Sequence, residues 1–135
     1  MPRMIFVNLP VKDLAVSTAF YESLGFEKNP MFSNEDASSI VISDTIFVML
    51  LREPFYQTFT PKTIVDATTS SEVMNALSAD SREEVDSLVD TALANGGSQG
   101  TPTQELDFMY GRSFQDPDGH IWEVTWMNMD AVSEA

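Results

Sequence analysis

Residues 4–9, MIFVNL, form a short apolar run broken by one polar residue, Asn8, and predict a strand. Asp13 then stands where a helix cap belongs, ahead of LAVSTAFYESLGF, in which Leu14, Phe20, Tyr21 and Leu24 share one helical face. Gly25 supplies the stop. Two short β-rich runs follow, SSIVIS and TIFVMLL, parted by the turn signal Ser43-Asp44.

The second half runs the same way. VMNALSA (73–79) predicts a strand, and Ser81 with Glu84 matches the capping box S-x-x-E, in which each side chain satisfies a backbone N–H at a helix start. Val85, Leu88, Val89, Ala92 and Leu93 recur at helical spacing until Gly96-Gly97 ends the helix. FMYGRSFQ and HIWEVTWM are then two strands joined by Asp-Pro-Asp-Gly, a β-turn tetrad with proline to preset φ and glycine to accept a left-handed conformation. The order β-α-β-β thus repeats with a period near 68 residues, FVNLPVKDL (6–14) answering MNALSADSR (74–82), which reads as a duplicated module. The expected division is one domain over 1–135: module 1 at about 4–52, a linker or flap at 53–72, module 2 at 73–128 and a frayed tail at 129–135. Within the linker, Thr60-Pro61 reads as a helix start and Phe55, Tyr56 and Phe59 as an aromatic cluster that packs on the core or flaps over a groove.

Composition narrows the functions. A chain of 135 residues with 43% hydrophobic content can fill one core, and no apolar run reaches the ~20 residues of a membrane span. No early stretch reads as a secretory signal, so a soluble, cytoplasmic protein is expected. The formal charge of −14 disfavours nucleic acid and anionic membranes as partners and favours solubility or cationic ligands. The absence of cysteine removes disulfides, thiolate nucleophiles and sulfur-ligated metal sites. No nucleophile elbow, phosphate-binding loop, dinucleotide-binding glycine pattern or zinc motif is present either.

Taken together, VNLPVKDLAVSTAFYESLGF, the second β-α unit and DPDGHIWEV, in that order and spacing, resemble the vicinal oxygen chelate superfamily of glyoxalase I, extradiol dioxygenases, and fosfomycin- and bleomycin-resistance proteins. PRMIFVNLPVKDL with MYGRSFQDPDGHIWEV looks more narrowly like bacterial predicted lactoylglutathione lyases. The resemblance implies an α+β fold of two βαβββ modules whose strands curl into an open cup, commonly completed in a homodimer. It also implies a divalent metal held by four side chains, two per module. Those positions fall on Phe6 rather than Asn8, near Met49, on Met74 and on Glu123. Only Glu123 is a ligand for a hard or borderline ion, which needs several oxygen or nitrogen donors, so no metal or other cofactor is expected. A divalent metal is the alternative. The two methionines read as core filler rather than soft-metal ligands.

What the cup retains is expected to do the work. On an alternating strand Glu123, Thr125 and Met127 share one face, and Trp122, Val124 and Trp126 the other. The family pattern turns Glu123 inward, where Phe6, Met49 and Met74 would partly desolvate it beside Asn8, the setting of a general base or acid. Its competing role is a structural charge paired with Arg112 or Asn8. Arg112 pairs with Glu123 or clamps a substrate carboxylate, and Tyr110 donates to a ligand or packs. The single histidine, His120, leaves the turn and reads as structural or solvent-facing. Three functions compete: a metal-independent protein binding a small, cationic molecule, a glyoxalase-type lyase or isomerase with Glu123 as base, and a non-catalytic interaction protein.

Overall fold

In the computed structural model, which describes residues 2–130, the Asp13 carboxylate accepts the Val16 amide at 3.1 Å and starts helix α1 (Leu14–Ser23). The helix ends at Leu24, and Gly25 follows at φ +94°, a conformation that only glycine adopts without strain. The chain divides at Asp66 and Ala67 into two units, each an α+β module of the βαβββ kind.

The first unit holds β1 (Ile5–Val11), α1, β2 (Glu27–Asn29), β3 (Ala37–Val41) and β4 (Ile46–Arg52), in sheet order β1-β4-β3-β2. β1 and β4 are parallel and the other pairs antiparallel. Pro10 sits in β1, an edge strand, where a missing N–H is tolerated. Leu9, Val11, Ile40, Val48 and Leu50 form the core beneath α1 with Phe20 and Tyr21, whose rings meet edge to face. Two polar groups survive on this face because they satisfy each other. Thr18 Oγ1 donates to the Leu14 carbonyl at 2.6 Å and lies 2.8 Å from Ser38 Oγ across the helix–sheet seam.

The second unit holds β5 (Met74–Ala79), α3 (Arg82–Ala94), β6 (Ser98–Gln99), β7 (Gln104–Leu106), β8 (Met109–Gln115) and β9 (Ile121–Met127). The sheet order is β5-β9-β8-β6, with β5 and β9 parallel. β6 and β7 pair with opposite ends of β8, so together they are one edge strand broken at residues 100–103. The Ser81 hydroxyl accepts the Glu84 amide at 3.0 Å, half of the expected capping box; the Glu84 carboxylate reaches back to the Asp80 amide at 3.3 Å rather than to that of Ser81. Val85, Val89 and Ala92 pack from α3 against the β8–β9 core of Phe114, Trp122 and Val124.

One expectation changes here. No helix starts at Thr60-Pro61. Instead α2 (Glu53–Tyr56) begins earlier with proline in its first turn, and the Gln57 side chain ties down the carbonyls of Thr60 and Lys62 at 2.8 and 2.7 Å. The β-branched residues Thr63, Ile64 and Val65 that follow are weak helix formers. Of the tail, residues 131–135 lie outside the described residues. Among the described residues no helix is long and apolar enough to cross a membrane.

Candidate functional site

In the first unit the parallel register pairs Phe6 with Phe47 and Asn8 with Met49, so all four stand on the sheet face turned away from α1. Phe6 and Phe47 stack, centroids 5.0 Å apart at 13°. Phe6 is nonetheless 52% exposed and Met49 only half-buried. Where β4 ends, the chain turns through α2 and brings Tyr56, Phe59 and Thr60 over the same face. Asn8, Leu51, Tyr56, Phe59 and Thr60 line a cleft of about 290 Å³. Phe55 holds the Phe59 ring edge to face at 5.1 Å, while Phe59 itself is 69% exposed. The aromatic cluster was legible in the sequence; Leu51 and Thr60 were not, since their place in the cleft depends on the path of the chain after α2.

In the second unit, β9 is paired on both sides, and Glu123 lies opposite Ala76 of β5 and Ser113 of β8. The alternation puts Glu123 on the open face while Trp122 and Val124 are buried under α3. Ser113 is not its partner, because the Ser113 hydroxyl donates to the Trp122 carbonyl at 3.0 Å. Among the described residues the Glu123 carboxylate has neither an ion pair nor a hydrogen bond. Met74 starts β5 on the same face and is 54% exposed, so neither Met74 nor Met49 is the core filler that apolar surroundings in the sequence imply.

Arg112 and Tyr110 stand elsewhere. The register sets Arg112 opposite Val124 and Tyr110 opposite Trp126, on the helix-facing side of the sheet and away from Glu123. The expected Glu123–Arg112 pair is therefore not formed. Arg112 Nη1 donates to Asp86 and Asp90 of α3 at 2.9 Å each, and the Tyr110 hydroxyl donates to the same Asp86 oxygen at 2.6 Å. The Tyr110 bond first, and Arg112 after it, hold Asp86 below the usual carboxylate range, and the same bond to Asp86 pushes the Tyr110 hydroxyl up. Arg82 lies over the Tyr110 and Trp126 rings at 5.3 and 5.0 Å and donates to Glu105 and the Leu106 carbonyl, tying β7 to the start of α3. Asp86 and Asp90 were missed in the sequence, although their i, i+4 spacing places both on one helix face.

The Asp-Pro-Asp-Gly turn sets the start of β9. Asp116, 2% exposed, accepts the amides of Asp118 and His120 at 2.9 Å each and donates its own amide to the His120 carbonyl. Half-buried His120 thus closes the turn through its backbone. Gly119, at φ +92°, lies so close to Ala67 and Thr68 that a Cβ there would meet their backbone at 2.6–2.8 Å.

The donor set can be weighed against the metal that the family resemblance implies. Phe6 and Met49 in one unit, Met74 and Glu123 in the other, offer one ring, two thioethers and one carboxylate. That set does not fit a divalent ion with oxygen and nitrogen preferences. Among the described residues no three histidine, cysteine, aspartate or glutamate side chains come together to hold a metal ion.

Residues 3–43 match the bleomycin resistance protein-like N-terminal family. No curated protein matches the chain. A hypothetical protein from S. aureus, SA1046, is 30% identical over 93% of this chain and 95% of its own, with a TM-score of 0.77. A glyoxalase/bleomycin resistance protein/dioxygenase family enzyme from Burkholderia phytofirmans is 17% identical, covering 93% and 99% of the two chains at a TM-score of 0.75. A genomically encoded fosfomycin resistance protein from Listeria monocytogenes is 19% identical over 96% and 97%, with a TM-score of 0.69. With paired βαβββ modules, these matches and the motifs at both ends of the chain agree: the protein belongs to the vicinal oxygen chelate superfamily of glyoxalase and bleomycin-resistance proteins.

Proposed function

We propose that the protein binds a small organic molecule without a metal ion, in the cleft that Asn8, Leu51, Tyr56, Phe59 and Thr60 enclose. The observation that carries this reading is the cleft itself: concave and mainly apolar, with a few polar groups on its wall, it has the anatomy of a small-molecule site. Its volume, about 290 Å³, is close to the ~300 Å³ lower bound of such pockets. The family positions that would hold a metal offer one carboxylate, which argues for sequestration or transport rather than Lewis-acid chemistry. A formal charge of −14 would speed the approach of cationic molecules through the long-range field. The same reading takes the protein as a homodimer, supported by Met4, Ile5 and Phe6, which leave apolar surface exposed at the start of β1.

Isothermal calorimetry with Ni, Zn, Mn and Fe(II), on the wild type beside Glu123→Gln, tests the metal-free reading. Weak binding unchanged in the variant, as an acidic surface gives, is the expected result. Tight binding of one ion per chain, lost in Glu123→Gln, overturns it. A second reading has one observation in its favour: the half-buried Glu123 carboxylate has no partner among the described residues, as a general base for a glyoxalase-type lyase or isomerase requires. Of the two residues directly opposite it, Ser113 is already bonded and Ala76 is apolar, so neither offers a hydrogen bond to a developing enediolate. Hemithioacetal turnover that survives chelation and disappears in Glu123→Gln would favour this second reading over the first.

A further inference from the structure

Among the described residues no charged side chain lines the cleft of the first unit, and the side-chain amide of exposed Asn8 has no protein hydrogen-bond partner. The Tyr56 hydroxyl is likewise free of protein partners among them. Around these polar groups the walls are Leu51, 5% exposed, and the rings of Tyr56 and Phe59. Phe59 is held at a fixed angle by Phe55, yet most of its surface faces solvent. A fixed and uncovered ring is a stacking surface for another flat molecule.

A carboxamide presents one acceptor and two donors in one plane. The ligand edge that answers an acceptor and a donor together is a cyclic amide, an N–H beside a C=O in the same ring. A carboxylate ligand would leave the Asn8 oxygen unmatched, and an ammonium its N–H groups; a cation also finds no carboxylate in the cleft wall among the described residues. The volume of about 290 Å³ equals that of about ten water molecules at ~30 Å³ each, room for a fused bicyclic ring.

We infer that the cleft recognises an uncharged planar ring carrying a cyclic-amide edge, with the edge paired to the Asn8 carboxamide and the ring against Tyr56 and Phe59. This rests on the small-molecule reading above and deepens it. The overall negative charge then has no hold on the uncharged ligand, and the cleft selects on the amide edge. Asn8 becomes the specificity residue and Phe59 the source of ring affinity common to all flat ligands. The pairing has the form by which asparagine reads an adenine edge, with donor and acceptor answered at once.

Three matched bicyclic probes test this by tyrosine and tryptophan fluorescence titration, with chemical-shift mapping of the Asn8 side-chain amide: 2-quinolone, N-methyl-2-quinolone and N-methylquinolinium. The expected result is an order 2-quinolone, then N-methyl-2-quinolone, with about a tenfold gap, the upper end of what one lost hydrogen bond gives. In Asn8→Leu that gap should disappear while both quinolones still bind, and in Phe59→Ala both should weaken together. The wild-type comparison stands even if a variant folds poorly. Equal binding of the two quinolones, or tighter binding of the quinolinium ion at 150 mM salt, overturns the cyclic-amide inference and leaves small-molecule binding intact. Failure of all three probes to bind or to shift any Asn8, Tyr56 or Phe59 resonance up to millimolar concentration overturns both.

Discussion

Replacing Gly119 by alanine should destabilise the second unit more than any other single methyl addition at a glycine with positive φ. Two terms act there. A residue with a Cβ at φ +92° costs about 1 kcal/mol. The added carbon would also sit 2.6 Å from the Ala67 carbonyl oxygen, 2.7 Å from its carbon and 2.8 Å from the Thr68 nitrogen. These are backbone atoms, with no rotamer to escape into, so a displacement of the 67–68 segment adds about 1–3 kcal/mol, as overpacking does. The total is about 2–4 kcal/mol. Gly25→Ala isolates the first term, because φ is +94° and no atom lies within 4 Å of the new Cβ: about 1 kcal/mol. Gly100→Ala isolates the second, its Cβ running into the Ser113 side chain and the Phe114 nitrogen at 2.9 Å without a positive φ. Urea unfolding followed by two probes reads the result. Both tryptophans, Trp122 and Trp126, lie in the second unit, so fluorescence reports that unit while far-ultraviolet ellipticity reports both. If Gly119→Ala lowers the fluorescence-detected stability by no more than Gly25→Ala lowers the ellipticity-detected one, the 67–68 segment does not bear on the turn and the close approach is no constraint.

Asp86→Asn should destabilise by about 1 kcal/mol or less at neutral pH, since the Arg112 pair is partly exposed and screened. Because the native Asp86 titrates below its unfolded value near 3.9, its contribution is complete above about pH 5 and fades as pH falls through and below about 4. The gap between wild type and variant should therefore close in acid, and Tyr110→Phe, which removes the largest cause of the shift, should flatten that limb; a pH-independent gap in chemical denaturation would refute the assignment. Ser81→Ala removes the hydroxyl that accepts the Glu84 amide and should cost about 1 kcal/mol, read by tryptophan fluorescence in urea. Phe114→Ala, at a residue 1% exposed beneath α3, should cost about 3–5 kcal/mol, and a loss below 1 would mean that the β8–β9 core is not packed as described.

Legibility followed the range of the interactions. Asp13, Ser81 and the Asp-Pro-Asp-Gly turn work within a few residues of themselves, and each cap or turn appears where its local chemistry implies. The long strands are apolar, β-rich runs, with alternation clearest in IWEVTWM, and were readable from their own residues. β2, β6 and β7 were not, because Glu27–Asn29, Ser98–Gln99 and Gln104–Leu106 are short, polar edge segments whose pairing is decided by a neighbouring strand. The site divides along the same line. That Phe6 and Asn8 share a face, and that Glu123 and Trp122 do not, follows from alternation alone. Which partner Arg112 takes does not. Strand β8 turns Arg112 toward α3, and only the docking of that helix decides that Asp86 and Asp90 reach it before any other carboxylate.

The exposed residues of the open faces bear on whether the family site is a relic. Water-facing phenylalanine and methionine give the fold little of the stabilisation that their burial would. Here Phe6 and Met74 are more than half exposed, and Phe6 is stacked on Phe47 rather than scattered singly. Each Å² of such surface covered by a ligand or a second copy recovers about 25 cal/mol, so the same side chains that fail as metal donors are effective contact groups. Asn8 is the one polar side chain among Phe6, Phe47 and Met49, and it is unpaired among the described residues. An apolar surround with one directional group is how a site gains affinity from area and selectivity from a single pairing, and it supports a binding role for the first unit's open face over a vestigial one.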